Sequence, residues 1–179
     1  ASTGMGTDAH LIKPTVVIVT DKDGKLTELV AKNIIVATGA SAAVPPFWKM
    51  DGEKVVTYSE AILQTTLPKS VVIIGSGAIG VEFATVWNSY GVDVTIVEML
   101  DGLVPLEDPE VGKLLERTFK ARGIESHLKT KVESVESTDA GVTLTVSKDG
   151  ERQTLAAESV LIAIGFRPHT EGLNLDGIG

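Results

Sequence analysis

The stretch VVIIGSGAIGVEFA, residues 71–84, places four apolar residues ahead of glycines at 75, 77 and 80 and an apolar run behind them. Its surroundings predict a strand at 71–75, a helix at 78–90 closed by Gly91, and a second strand at 94–98. In that setting the three glycines have distinct tasks. Gly75 ends the strand in a tight turn, Gly77 lets the backbone approach a pyrophosphate, and Gly80 lets the helix lie close on the strand. The unpaired N–H groups and positive dipole end of the helix then face an anion. Ser76, inside the turn, is expected to cap or to touch phosphate. Glu98 ends the second strand eighteen residues after Gly80, where an acid accepts both ribose hydroxyls of an adenosine. Met99 and Leu100 follow it, with no Arg to meet a 2′-phosphate, so NAD is favoured over NADP.

The rest of the chain agrees with a globular α/β protein. It has 179 residues, 43% of them hydrophobic, a net charge of −8 and no cysteine. The charge argues against a nucleic-acid surface, and the missing cysteines exclude disulfides, thiolate metal sites and a thiol nucleophile. No apolar run approaches the length of a membrane helix. The opening ASTGMGTDAH has neither a basic nor an apolar leader region, and both ends read as cut.

Two apolar runs, 15–20 and 26–30, flank Lys22-Asp23-Gly24 and predict a hairpin. The continuous runs 33–37 and 160–164 predict strands buried on both faces. Pro45-Pro46 between them marks a crossover between domains. Thr57 and Glu60 form a capping-box pattern. Asp108 and Pro109 start a helix whose apolar stripe is Val111, Leu114, Leu115 and Phe119. Runs at 132–137, 142–147 and 153–157, joined by Asp139-Ala140-Gly141 and Lys148-Asp149-Gly150, predict an antiparallel meander.

No acid–base constellation accompanies the glycine turn. Tyr58 and Tyr90 lack a Lys four residues on, and no G-x-S-x-G elbow is present. His10, His127 and His169 have neither metal-ligand spacing nor an adjacent carboxylate motif. On these residues alone the chain binds a dinucleotide and carries no catalytic group and no metal site.

Four stretches in order carry a family resemblance: AKNIIVATGASAAVPP, the glycine-turn segment through Glu98, HLKTKVESV and LIAIGFRPHTEGLNLDGIG. Together they resemble the pyridine nucleotide–disulfide oxidoreductases, nearest the dihydrolipoamide dehydrogenase branch. The resemblance implies a Rossmann-like NAD-binding domain, a parallel sheet plus a three-stranded antiparallel meander, at 45–164. Partial FAD-domain strands would flank it at 1–44 and 165–179.

Carried over, the NAD contacts are Gly75, Ser76, Gly77, Ala78, Ile79, Gly80, Val81, Glu82, Glu98, Val132 and Gly165. Ile79 takes the nicotinamide-pocket position, and Glu82 the acid near the nicotinamide and a flavin-side lysine. On spacing alone Glu82 is an ordinary first-turn helix carboxylate. Thr38 and Gly39 become partial FAD contacts, and Phe166 stands where the family more commonly has Arg. The implied activity passes electrons between a dithiol–disulfide and NAD through FAD, in a bacterial cytoplasm or an organellar matrix. Because the redox cysteines, the first flavin turn and the dimer domain are missing, this chain alone is expected to be inactive and to bind FAD weakly or not at all. Self-association through unpaired strands is also expected. The rival reading is a stand-alone, non-catalytic NAD(H)-binding module.

Overall fold

The computed structural model describes residues 15–177, so His10 and the start of the 1–44 segment lie outside the described residues. The chain divides into two compact units, one holding residues 15–39 and 168–177 of the described part and the other residues 40–167.

In the first unit, β1 (Thr15–Thr20) and β2 (Leu26–Ala31) form the expected antiparallel hairpin, with Thr20 opposite Leu26. The turn closes because Asp21 Oδ1 accepts from the amides of Asp23 and Lys25, while Gly24 takes φ +79°. Residues 33–37, expected as a buried strand, form none. They join no ladder, and Ile35 is 90% exposed. An apolar run becomes a buried strand only when other strands offer it hydrogen-bonding edges.

The second unit opens on the short strand β3 (Ala40–Ala42) and is built on a five-stranded parallel sheet of order β4 (Val55–Val56), β11 (Ser159–Ile162), β5 (Ser70–Ile74), β6 (Asp93–Val97) and β7 (Glu125–His127). The 160–164 run, expected as a strand buried on both faces, supplies β11, bonded to β4 on one side and β5 on the other.

Two helices, α2 (Ala78–Ser89) and α3 (Pro109–Ala121), cover one face, where Ala84, Trp87 and Phe119 pack against Val71, Ile73, Val94 and Ile96. The opposite face carries the meander of β8 (Lys131–Thr138), β9 (Gly141–Lys148) and β10 (Glu151–Ala157). There Val142, Leu144 and Val146 pack against Val72, Ile74, Val97 and Ile162. Layers on both faces are why β5 and β11 read as continuous apolar runs.

Caps fall where sequence placed them. Thr57 and Glu60 make a full capping box on α1 (Tyr58–Ala61), Asp108 accepts from Glu110 N with Pro109 as first residue of α3, and Gly91 follows α2 at φ +85°. The α3 stripe needs correction, because Val111 and Leu114 are exposed. The buried line runs through Gly112, Leu115 and Phe119. A Cβ on Gly112 would come within 2.6 Å of Leu103 O, so the bare position lets the helix lie close against Leu103. No helix among the described residues is long and apolar enough to cross a membrane.

Candidate dinucleotide site

From β5 the chain winds through α2, β6 and α3 to β7 on one side, while β11 and β4 lie on the other. The order reverses at the carboxyl end of β5, and ligand crevices of open α/β sheets lie at such points. A cleft of about 730 Å³ is found there, lined by the strand ends Ile74, Val97 and Ile162 and by the turn that follows β5.

Gly75 holds φ +100°, and a Cβ on it would lie 2.4 Å from Ala163 O, so both conformation and space demand glycine. Gly75 N donates to Val97 O at 2.9 Å, extending the β5–β6 ladder into the turn. Gly80 is the close approach between helix and strand: a Cβ there would stand 2.1 Å from Gly75 O. Gly77 differs from both. It has φ −66° as N-cap of α2, makes no side-chain cap, and a Cβ on it would meet no atom within 4 Å. Its bare face opens onto the cleft lining. Val81 is the first amide of α2 to find a carbonyl, that of Gly77, so the amides of Ala78, Ile79 and Gly80 before it are the ones available to an anion.

Glu98 follows β6 and is buried, at 8% exposure. Its backbone N–H donates to His127 O and its carbonyl accepts from Thr130 N, both at 2.9 Å, which anchors it between β7 and β8. Its carboxylate accepts from Ser76 N and Ser76 Oγ on Oε2, each at 2.8 Å, and from Leu100 N on Oε1 at 2.9 Å. Ser76, fully buried, gives both its donors to this carboxylate. Glu98 therefore does not stand with all its acceptor positions free for ribose hydroxyls.

Of the expected dinucleotide contacts, Gly75, Ser76, Gly77, Ala78, Ile79, Glu98, Val132 and Gly165 line this one cleft. Gly80 and Val81 face the protein, Val81 packing on the helix-side core. Glu82 is exposed and is the fifth residue of α2, one beyond the first turn in which it was expected. Thr38 and Gly39 belong to the other unit, where the Thr38 hydroxyl donates to His169 O and Gly39 O accepts from His169 N.

Sequence reasoning missed the rest of the lining. Trp48, Tyr58 and Phe166 bring aromatic surface, with the Tyr58 and Phe166 rings 5.6 Å apart. The buried Trp48 Nε1 has no hydrogen-bond partner. A signal existed in the two adjacent aromatics, Phe47 and Trp48, directly after the prolines. His127, expected to lack a carboxylate neighbour, has Glu125 Oε1 3.0 Å from Nε2 across one residue of β7. Neither residue lines the cleft.

This geometry has a counterpart in known proteins. Residues 4–179 match the model of the pyridine nucleotide-disulphide oxidoreductase family. The chain belongs to that family. Among pyridine nucleotide-disulphide oxidoreductases, a dihydrolipoyl dehydrogenase of Mycobacterium tuberculosis is 48% identical over 157 residues, 88% of this chain and 34% of that protein. The mitochondrial dihydrolipoyl dehydrogenase of Pisum sativum is 38% identical over 170 residues, covering 94% and 34%. The crystal structure of LpdA from Mycobacterium tuberculosis superposes with a TM-score of 0.76 at 35% identity, over 90% of this chain and 35% of that one. The chain thus spans about a third of the length of the oxidoreductases it matches.

Proposed function

We propose that this chain is the NAD(H)-binding portion of a flavoprotein dehydrogenase that passes electrons between a dithiol–disulfide, dihydrolipoamide being favoured, and NAD by way of FAD. Residues 45–164 form the NAD-binding domain in this reading, with partial FAD-domain segments at 1–44 and 165–179, in a bacterial cytoplasm or an organellar matrix. One observation carries it: a glycine that tolerates no side chain (Gly75), a helix N-terminus and a buried acid meet in one cleft at the switch point of a parallel sheet.

The residues fit the cofactor. Ala78 and Ile79 amides would hold the pyrophosphate, with Gly77 leaving it room, and Glu98 would accept from the adenosine ribose. Ile79 and Glu82 would stand at the nicotinamide end, and Val132 and Gly165 would border the ring systems. Thr38 and Gly39 would be partial FAD contacts. NAD, when bound, supplies a hydride acceptor, while these residues bind and orient it. Glu98 opposes a 2′-phosphate and no Arg follows it, which favours NADH over NADPH.

Calorimetric titration with both nucleotides tests this. NADH is expected to bind about tenfold or more tightly than NADPH, the worth of a hydrogen bond to a charged group. In E98A the preference should collapse. Equal affinities in the unaltered chain would remove the assignment.

The rival reading, a non-catalytic NAD(H)-binding module, draws on the zero cysteine count. Both readings expect NADH binding without disulfide-dependent NADH oxidation by this chain alone. Only the first expects that activity to return when the remaining two thirds of a relative are supplied in trans.

A further inference from the structure

Val104 holds φ +45°, in the left-handed region. Among the described residues, the other non-glycine residues with positive φ are Lys129, Asp149 and Asn174, so Val104 alone of these is β-branched. A branched Cβ crowds its own backbone there, and Pro105 behind it pushes the preceding residue towards extended backbone instead. Val104 is therefore strained, and such residues persist only where their surroundings hold them. Resting on the dinucleotide reading above, we infer that residues 104–107 are a sprung strap on the cleft, hinged at Val104. The strap lifts when Val104 relaxes to negative φ, and a bound dinucleotide holds it down.

The strap has firm ends and a lightly held middle. Before it, Leu103 is buried in the helix-side core, with its carbonyl oxygen close against Gly112 of α3. After it, Asp108 caps α3. Between these anchors, Glu107 N donates to Val104 O at 2.9 Å and closes a four-residue turn. All four residues of the turn line the cleft, yet Leu106 is 95% exposed, so its side chain does almost nothing to keep the turn down. Val104 N donates to Ser76 O at 3.0 Å, which seats the hinge on the glycine turn. Rotation about the Val104 N–Cα bond leaves that amide in place but swings the Val104 carbonyl. The Glu107 amide then loses its acceptor as the turn moves off the cleft. A dinucleotide that touches only the seated strap opposes the lift by its whole preference for that state.

Amide hydrogen exchange followed by NMR reads the lift, as the protection of the Glu107 amide relative to its intrinsic rate. In the ligand-free chain V104G should raise that protection about tenfold or more, because glycine takes positive φ without strain and the spring is gone. V104N, whose side chain also tolerates positive φ, should act in the same direction and serves if V104G does not fold. V104T keeps the branched Cβ and should stay within about twofold of the unaltered chain. Saturating NADH should protect Glu107 in the unaltered chain by at least about tenfold. Protection in V104G and V104N equal to or below that of the unaltered chain would overturn the inference, since glycine in an unstrained turn only loosens it. So would NADH that binds yet leaves Glu107 exchange unchanged. The ligand-free comparison does not depend on the dinucleotide reading: failure of NADH to bind would bring down that reading and the strap's occupant, while the variants would still decide the spring.

Discussion

Three glycines at one-three spacing look equivalent in the sequence, yet each answers to a different constraint. Gly80 is set by contact, because any Cβ would overlap Gly75 O at 2.1 Å. Gly77 has an ordinary φ of −66° and open space beside it, so folding does not require it. G80A should therefore lower stability by about 1–3 kcal/mol, the usual cost of overpacking, and shift the thermal midpoint down. G77A should unfold within about 0.5 kcal/mol of the unaltered chain, while losing dinucleotide affinity as its methyl enters the pyrophosphate's space. Denaturant melts and titrations on the same two samples check both halves. A G77A that folds and binds normally would show that no phosphate sits against that residue.

Between elements, the loop before β4 is tied to the meander by the Asp51 carboxylate and by Lys54, whose ammonium donates to Thr138 O and Asp139 O. Asp51 Oδ1 accepts from the amides of Glu53, Lys54 and Val55, and Oδ2 accepts from Ser137 Oγ on β8. Partial burial works to raise its pKa, but the Ser137 hydroxyl and the three amides outweigh it and bring it from 3.8 down to about 2. A depressed folded pKa means the clamp contributes stability above about pH 4 and loses it as pH falls towards 2. D51A should be less stable than the unaltered chain at pH 7, with the gap narrowing between pH 4 and 2. A gap of constant size across that range would show that the carboxylate's charge contributes nothing. Sequence revealed the 132–137 strand on one side of this clamp but neither β4 nor the clamp itself, since Asp51 and Ser137 lie 86 residues apart.

At the scale of the molecule, apolar surface is distributed unevenly. The second unit buries its sheet on both faces, whereas the hairpin exposes Ile18 at 61%, Leu26 at 64% and Val30 at 74%. The hairpin is a two-stranded sheet, so among the described residues both its edges lack a strand partner. Exposed apolar edges are templates for association. Concentration-dependent self-association is expected by sedimentation, and I18K with V30K should shift the chain towards monomer by placing charge on those edges. A monomer at all concentrations before any substitution would contradict this.

What sequence determined alone is what a few neighbouring residues encode. The β1–β2 turn, the Thr57–Glu60 capping box, the start of α3 at Asp108-Pro109 and the strand–glycine–helix unit around Gly75 all follow from turn chemistry, caps and periodicity within about five positions. Even the acid of the site was legible, because strand and helix lengths set its distance from the last glycine. Only the tertiary structure decided which strand lies beside which, and what each polar group meets. Residues 33–37 and β11 carry the same kind of apolar run, yet one is exposed and unpaired while the other sits between two parallel strands. The Glu98 carboxylate, read from sequence as an open ribose acceptor, is largely filled by Ser76 from 22 residues away. An apolar run states only that it can be buried. Which backbone edge is open to it, and which donor reaches a carboxylate first, depends on chain segments remote in sequence that meet only when the sheet assembles.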